Sequence, residues 1–317
     1  MYMIKPGKKL FNVLKNDSAF FNELYYLTRQ QKSFEEYYDK RIKPLFDEII
    51  EKGNDEERAF AKEMNKGRVC CAFAGEWTKK YKRSARIIND KSQGLNYTFY
   101  NTRSHGRKKM YLKKQWEKSL CRDYVRFLLM DQDIHSPHFY FTDTVMDALK
   151  NGGTMLDMGV AEGNFTLEFI DDADRVYMFE PDSDWHGPLK KTFEEYWDKI
   201  VLCSKFVSDK SSDSCVSVDD FFGDNIPTDI KLIKMDIEGY EPNALNGMKK
   251  TLEKNPDAVL LICVYHKQYA EDEIRSTLLQ CGEYDIKVRE GYMFFSEDPD
   301  LSFPYIRHGI IECRAVR

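Results

Sequence analysis

A chain of 317 residues has room for one large domain or two ordinary ones, each with a full hydrophobic core. At 42% hydrophobic and 32% charged it is neither a disordered polyelectrolyte nor a bilayer protein, since no run of about 18 apolar residues is present. The formal charge of −5 hides an asymmetry: Glu76 to Arg126 holds 15 Lys/Arg against four Asp/Glu, or +11, which leaves −16 for the remainder.

The lysines of Met1 to Leu10 have no apolar stretch behind them, so this segment does not read as a signal peptide. Eight cysteines are scattered with no C-x-x-C pair, and several sit in apolar runs, which argues against a zinc site or a disulfide framework. Together these features predict a cytoplasmic protein without a membrane partner. The basic block would suit an anionic partner, or it is simply a solvated face.

In chain order, residues 16 to 66 are predicted helical. Apolar positions recur at helical spacing in Phe20, Phe21, Leu24 and Leu27, and again in Ile42, Leu45, Phe46, Ile49 and Ile50, with Lys52-Gly53 as a stop. Val69 to Phe73 and Asn96 to Tyr100 read as strands, and Lys108 to Met130 as a helix with a basic first half. After Ser136-Pro137 strands and helices alternate. Strands are expected at Met155–Met158, Arg175–Phe179, Ile200–Cys203, Ile230–Met235 and Ala258–Val264. The helices between and after them are expected at Glu162–Ile170, Ser183–Tyr196, Glu241–Glu253 and Ile274–Gln280. Three β-rich pieces, Tyr284–Val288, Tyr292–Phe295 and Gly309–Val316, close the chain. This rhythm predicts a doubly wound α/β fold: a mostly parallel sheet with an antiparallel edge, preceded by a mainly helical N-terminal region. The boundary is placed near 135, giving domains 1–135 and 136–317.

Four segments carry chemistry. Thr154 to Gly163 is an apolar strand ending in Asp157, followed by a turn with Gly159 and Gly163 that feeds a helix. Glycine admits close backbone approach, and a helix N-terminus favours negative charge, although packing alone can explain such glycines. The spacing is D-x-G-x-x-x-G and not the G-x-G-x-x-G of a dinucleotide site. Glu162 would repel a pyrophosphate and tolerate a cationic sulfonium. Glu180, in Phe179-Glu180-Pro181, ends the second strand about 20 residues on, where an acid accepts hydrogen bonds from ribose hydroxyls. Ile233 to Glu241 crowds Lys234, Asp236, Glu238 and Glu241 at the end of a buried strand. Tyr265-His266-Lys267 ends another strand, and His266 there is the natural general base near neutral pH.

In this order the segments resemble the FkbM family of S-adenosylmethionine-dependent methyltransferases, over about Ser136 to Phe295. The most specific element is Ile233-Lys234-Met235-Asp236-Ile237-Glu238-Gly239-Tyr240-Glu241 with Leu245-Asn246-Gly247, similar to the family's I-K-x-D-x-E-G-x-E…L-x-G block. Asp157-Met158-Gly159, Gly163 to Leu167, Phe179-Glu180-Pro181, Ser217 to Asp220 and Tyr265-His266-Lys267 are also similar to family segments. Val160 departs from the small residue usual after the first glycine, and residues 1–135 match no named pattern. The resemblance implies a seven-stranded Rossmann-like sheet and S-adenosyl-L-methionine as cofactor. It implies an O-methyltransferase acting on a sugar, glycan or related hydroxyl. The cofactor set is then Asp157, Gly159, Gly163, Asn164, Phe165, Glu180, Pro181, Ser208, Asp209 and Asp236, with His266 and Asp236 catalytic. The acids at Asp236 and Glu238 are too few to call a metal site, and none is assigned. The alternative is an RNA-directed methyltransferase using the basic 79–126 block, where Tyr81, Tyr97, Phe99, Tyr100, Tyr111 and Trp116 interleave with the charges as stacking surfaces would.

Overall fold

The computed structural model describes residues 35–69, 71–83, 85–296, 298 and 301–316. The predicted helical positions Phe20, Phe21, Leu24 and Leu27 lie outside them. The chain forms two compact units, and both are discontinuous in sequence. One comprises the chain up to Ala85 with Gln115–Phe139 and Arg289–Gly309; the other comprises Arg86–Lys114, Tyr140–Val288 and Ile310–Arg317. The division therefore differs from a single cut near 135, because a β-hairpin inside the first 135 residues packs with the second unit.

In the first unit, Lys43–Lys52 (α1) and Asp55–Gly67 (α2) are antiparallel neighbours joined by Gly53-Asn54. The Asn54 side chain accepts from the Glu56 and Glu57 N–H groups, and Glu57 accepts from the Asn54 N–H, a reciprocal capping box. Ile42, Phe46 and Ile49 form an apolar stripe packed with Ala61, Met64, Phe294 and Ile306. Cys71–Ala72 (β1), Met293–Phe295 (β13) and Ile306–Arg307 (β14) form a small antiparallel sheet in the order β1-β13-β14. The β-rich piece at Tyr292–Phe295 thus belongs here and not to the main sheet. Its Phe294 ring is buried 4.7 Å from that of Phe46. Lys118–Asp131 (α3) completes this unit.

The second unit is built on a seven-stranded sheet. Its parallel core is Thr154–Met158 (β5), Arg175–Phe179 (β6), Ile200–Cys203 (β7), Ile230–Met235 (β10) and Val259–Cys263 (β11). Tyr284–Val288 (β12) and Ile310–Ala315 (β15) finish the order β12-β15-β11-β10-β5-β6-β7, with β15 antiparallel to both neighbours. Every residue of β5 and β11 is buried, as expected when helices cover both faces. The helices of this unit are Asp143–Asp147 (α4), Asn164–Phe169 (α5), Ser183–Thr192 (α6), Val218–Phe222 (α7), Glu241–Asn246 (α8), Lys249–Lys254 (α9) and Ala270–Cys281 (α10). The single helix expected over Glu241–Glu253 is broken at Gly247, where a Cβ would lie 2.1 Å from the Ser208 carbonyl oxygen. That oxygen follows a short parallel pair, Phe206–Val207 (β8) and Cys215–Val216 (β9).

The helix expected over Lys108–Met130 is a correction. Arg107–Tyr111 (β4) pairs antiparallel with Leu95–Asn101 (β3), which pairs with Ile88–Asp90 (β2), and helix begins only at Lys118. Burial has period two: Thr98, Tyr100 and Met110 are buried, whereas Arg107 and Lys109 are exposed. In the main sheet, β5 leads to β6 and β7 on one side while β10 and β11 lie on the other. The strand order therefore reverses between β5 and β10, and an open α/β sheet binds ligands at the carboxyl ends of such strands.

Candidate active site

At that edge the register aligns Met158 with Phe179 and with Met235, so the residues that follow these strands share one rim. Asp157 is fully buried; it accepts from Thr166 Oγ1 at 2.8 Å and lies 3.4 Å from Lys234 Nζ. Lys234 also donates to the Gly159 carbonyl at 2.5 Å, which ties the end of β10 to the turn after β5. Burial works against the Lys234 ammonium, but Asp157 and Asp236 outweigh it and raise its pKa, so it stays charged. Asp157 Oδ1 and Asn164 Nδ2 are buried without a hydrogen-bond partner.

The two turn glycines are required by their surroundings. Gly159 has φ +77°, and a Cβ there would lie 1.8 Å from the Asp236 carbonyl oxygen, so glycine lets the β5 and β10 turns cross. Gly163 has φ +84°, with a would-be Cβ 2.8 Å from the Phe193 ring. The Glu180 carboxylate accepts from Ala161 N–H at 2.8 Å and Asp182 N–H at 2.9 Å, which ties the end of β6 to the same turn. Burial raises Glu180 above the ordinary carboxylate range, and the two N–H groups pull it back in part. Pro181 follows on the rim, while Phe165 is buried in an aromatic cluster with Tyr140, Phe141 and Phe169. Ser208 and Asp209 come from the segment after β8: Ser208 Oγ donates to Asp209 Oδ1 at 3.1 Å, and Asp209 faces Asn243 of α8.

The densest polar network surrounds Asp236. Tyr140 Oη donates to Oδ2 at 2.6 Å, Tyr265 Oη donates to Oδ1 at 3.2 Å, and His266 Nε2 lies 3.1 Å from Oδ1. The other ring nitrogen, Nδ1, lies 3.1 Å from Glu241 Oε1, which in turn accepts the Ile237 N–H. The His266 side chain is 6% exposed. Burial alone would lower its pKa, but Glu241 and Asp236 together raise it to about 10. With a carboxylate at each nitrogen the ring is an imidazolium at neutral pH and has no lone pair to take a substrate proton. The raised value bears against the general-base role expected for His266 and favours an orienting one. The donor atoms of Asp236, Glu241 and His266 lie within 4.8 Å of one another, a spacing that also suits a cation. The ring position between the two acids fits the clamp. The sequence placed Glu241 only among the acids at the end of a buried strand, and held no sign of Tyr140, which lies 96 residues from Asp236 in a segment without a motif.

The basic block divides into two faces. Lys108 pairs with Asp171 at 2.6 Å, Lys113 with Asp182 at 2.6 Å, Arg103 with Glu168 at 3.3 Å and His105 with Asp172 at 2.6 Å. Three of the 15 Lys/Arg of the block, with His105, are thus paired with acids at or near α5 and α6. On the other face Arg107 lies over the Phe99 ring at 3.6 Å and Lys109 over the Tyr97 ring at 5.3 Å. Among the described residues no carboxylate pairs with either cation.

A doubly wound seven-stranded sheet with an antiparallel edge, an acid at the carboxyl end of each of β5, β6 and β10, and no pyrophosphate fingerprint is the architecture of a class I methyltransferase. The model of the methyltransferase FkbM domain matches residues 54–283, well over half of the chain. The chain belongs to the methyltransferase FkbM family. Similar solved structures include a methyltransferase FkbM from Methylobacillus flagellatus KT, with 20% identity, 62% of this chain and 54% of that chain covered, and a TM-score of 0.42. This chain thus spans about half the length of that protein. An rRNA methylase from Streptococcus thermophilus shows 13% identity over 58% of this chain and 99% of that one, with a TM-score of 0.41. Fibrillarin from Aeropyrum pernix, in complex with natively bound S-adenosyl-L-methionine, shows 10% identity over 72% and 97%, with a TM-score of 0.36. At these scores the three structures carry no argument about function. No curated protein matches the chain. Among the described residues no helix is long and apolar enough to cross a membrane.

Proposed function

We propose that the protein is an O-methyltransferase that moves a methyl group from S-adenosyl-L-methionine to a hydroxyl of a sugar, glycan or related metabolite. Asp157, Gly159, Gly163, Asn164 and Phe165 would form the wall for the methionine end, with Glu180 and Pro181 at the ribose. Ser208 and Asp209 would complete the set from the β8 side. The buried Asn164 Nδ2, which has no hydrogen-bond partner, fits a ligand that brings an acceptor. Carboxylates also outnumber cations around Lys234, which suits a ligand with a net positive charge.

The cofactor supplies an electrophilic methyl. The protein must place a hydroxyl in line and remove its proton. The observation that carries this reading is the Asp236 carboxylate, with Tyr140, Tyr265 and His266 converging on it. An alcohol oxygen becomes far more acidic as its new bond to carbon forms, so a carboxylate is basic enough to take the proton. His266, held charged by Glu241, keeps Asp236 ionised and oriented. Residues of the N-terminal part, which carry no cofactor motif, are assigned to acceptor binding or interaction. The scattered free thiols support a reducing, cytoplasmic setting.

The test is transfer of a labelled methyl group to methyl pyranosides, with the product analysed for a methyl ether. Asp236→Asn should lower turnover by about 10²- to 10⁴-fold. A variant with wild-type turnover would remove Asp236 from this role. A second reading, RNA methylation, is favoured only by the Tyr97/Phe99/Arg107/Lys109 face. It requires a salt-dependent gel shift of single-stranded RNA that Lys109→Glu weakens.

A further inference from the structure

We propose that Glu238 and Tyr240 form an acceptor subsite that holds a pyranose ring beside Asp236, a reading that rests on the O-methyltransferase function above. The two residues lie on the turn that follows Asp236. The Tyr240 N–H donates to the Ile237 carbonyl at 3.3 Å, which closes a tight turn and returns Tyr240 to within about 7 Å of Ile237 along the backbone.

The conformation of this turn is enforced. Glu238 is a non-glycine residue in the left-handed region, at φ +58°, a state that survives only where the surroundings determine it. What determines it is Lys267, from the segment after β11. Its Nζ donates to the Gly239 carbonyl at 2.9 Å, and its Cε would meet a Cβ on Gly239 at 2.9 Å. The strained turn turns two side chains outward at the reacting edge. The Glu238 side chain is 77% exposed, yet its Oε2 lies 3.9 Å from His266 Nε2, the nitrogen that also contacts Asp236. Tyr240 is 58% exposed, with Lys267 Nζ 6.0 Å from its ring centroid.

An aromatic face beside a carboxylate matches the two surfaces of a pyranose. The ring offers its axial C–H bonds, which pack on an aromatic, and its equatorial hydroxyls, which donate to a carboxylate.

The test is saturation-transfer NMR on the full chain with S-adenosylhomocysteine present. Methyl α-D-glucopyranoside, methyl α-D-galactopyranoside and methyl α-D-mannopyranoside serve as probes. Saturation should reach ring C–H protons of at least one probe, vanish in Tyr240→Ala and persist in Tyr240→Phe. Glu238→Gln should weaken probe binding about 3- to 10-fold with calorimetric affinity for S-adenosylhomocysteine unchanged. Glu238→Gly, which relieves the left-handed strain, should weaken the probe in the same way while retaining the fold. Equal transfer in Tyr240→Ala, or no transfer to wild-type protein that binds S-adenosylhomocysteine, would overturn the subsite. Tyr240-dependent transfer without S-adenosylhomocysteine binding would instead overturn the methyltransferase reading and leave the sugar site standing.

Discussion

Replacing Glu241 with Gln removes one of the two anions that hold His266 charged while keeping the side chain's size. The carboxylate lies 3.1 Å from Nδ1, and at an effective dielectric constant of 20 such a contact corresponds to about 5 kcal/mol before desolvation is counted. A second measure agrees. His266 titrates at about 10 in the fold against 6.5 for the free side chain. That difference sets a ceiling of about 5 kcal/mol, of which about 3 remains at pH 7.5. Because the folded value is raised, this stabilisation is complete below pH 6.5 and is lost as the pH rises through 10. Because Asp236 shares in the shift, urea denaturation of wild type and Glu241→Gln should differ by at most about 3 kcal/mol near pH 7, on the order of 1–3 kcal/mol. The gap should narrow steadily toward pH 10, where the wild-type ring loses its proton and leaves Glu241 a buried anion without a cation. A constant gap from pH 6 to 10, or no gap at pH 7, would refute the clamp. The same reasoning predicts no rise of turnover through pH 6.5, since His266 does not change charge there.

Charge reversal should separate the two faces of the basic hairpin. Lys113, with a 3% exposed side chain paired to Asp182 and set over the Trp185 ring, should lose about 3–5 kcal/mol on Lys113→Glu. Lys109→Glu, on the exposed face, should change stability by less than about 0.5 kcal/mol, so only its effect on acceptor kinetics reports steering. If both variants melted alike, the division into faces would be wrong. Gly159→Ala adds a Cβ 1.8 Å from the Asp236 carbonyl oxygen at φ +77°, and should yield protein with a thermal midpoint well below wild type and no cofactor binding. A normal midpoint would show that the two turns do not cross this closely.

The parallel strands were legible as short runs rich in apolar residues: Ile200–Cys203, part-buried at the sheet's edge, and Ile230–Met235, which carries Lys231 and Lys234, were placed residue for residue. Arg107–Tyr111 was not, because its alternation is between exposed and inward cations, and a run of lysines carries no apolar period. The acids at the strand ends were legible for the same reason as the strands, since each interrupts an apolar run. Their partners were not. Nothing in Tyr265-His266-Lys267 tells which carboxylates the ring will face, and that choice decides between a base and a fixed cation. Tyr140 reaches Asp236 only through the fold. Charge counted along the chain could not show that Asp171, Asp172, Asp182 and Glu168 come to meet part of the basic block.

The central claim is that the edge between β5, β6 and β10 binds S-adenosyl-L-methionine, and calorimetric titration of the full chain with S-adenosylhomocysteine tests it most directly. Wild-type protein should bind at one site per chain. Glu180→Gln can still accept one of the two backbone N–H groups but has lost its charge toward a ribose, and it should bind about 10- to 100-fold more weakly. Equal affinity in the two proteins, or no binding by the wild type, would contradict the account.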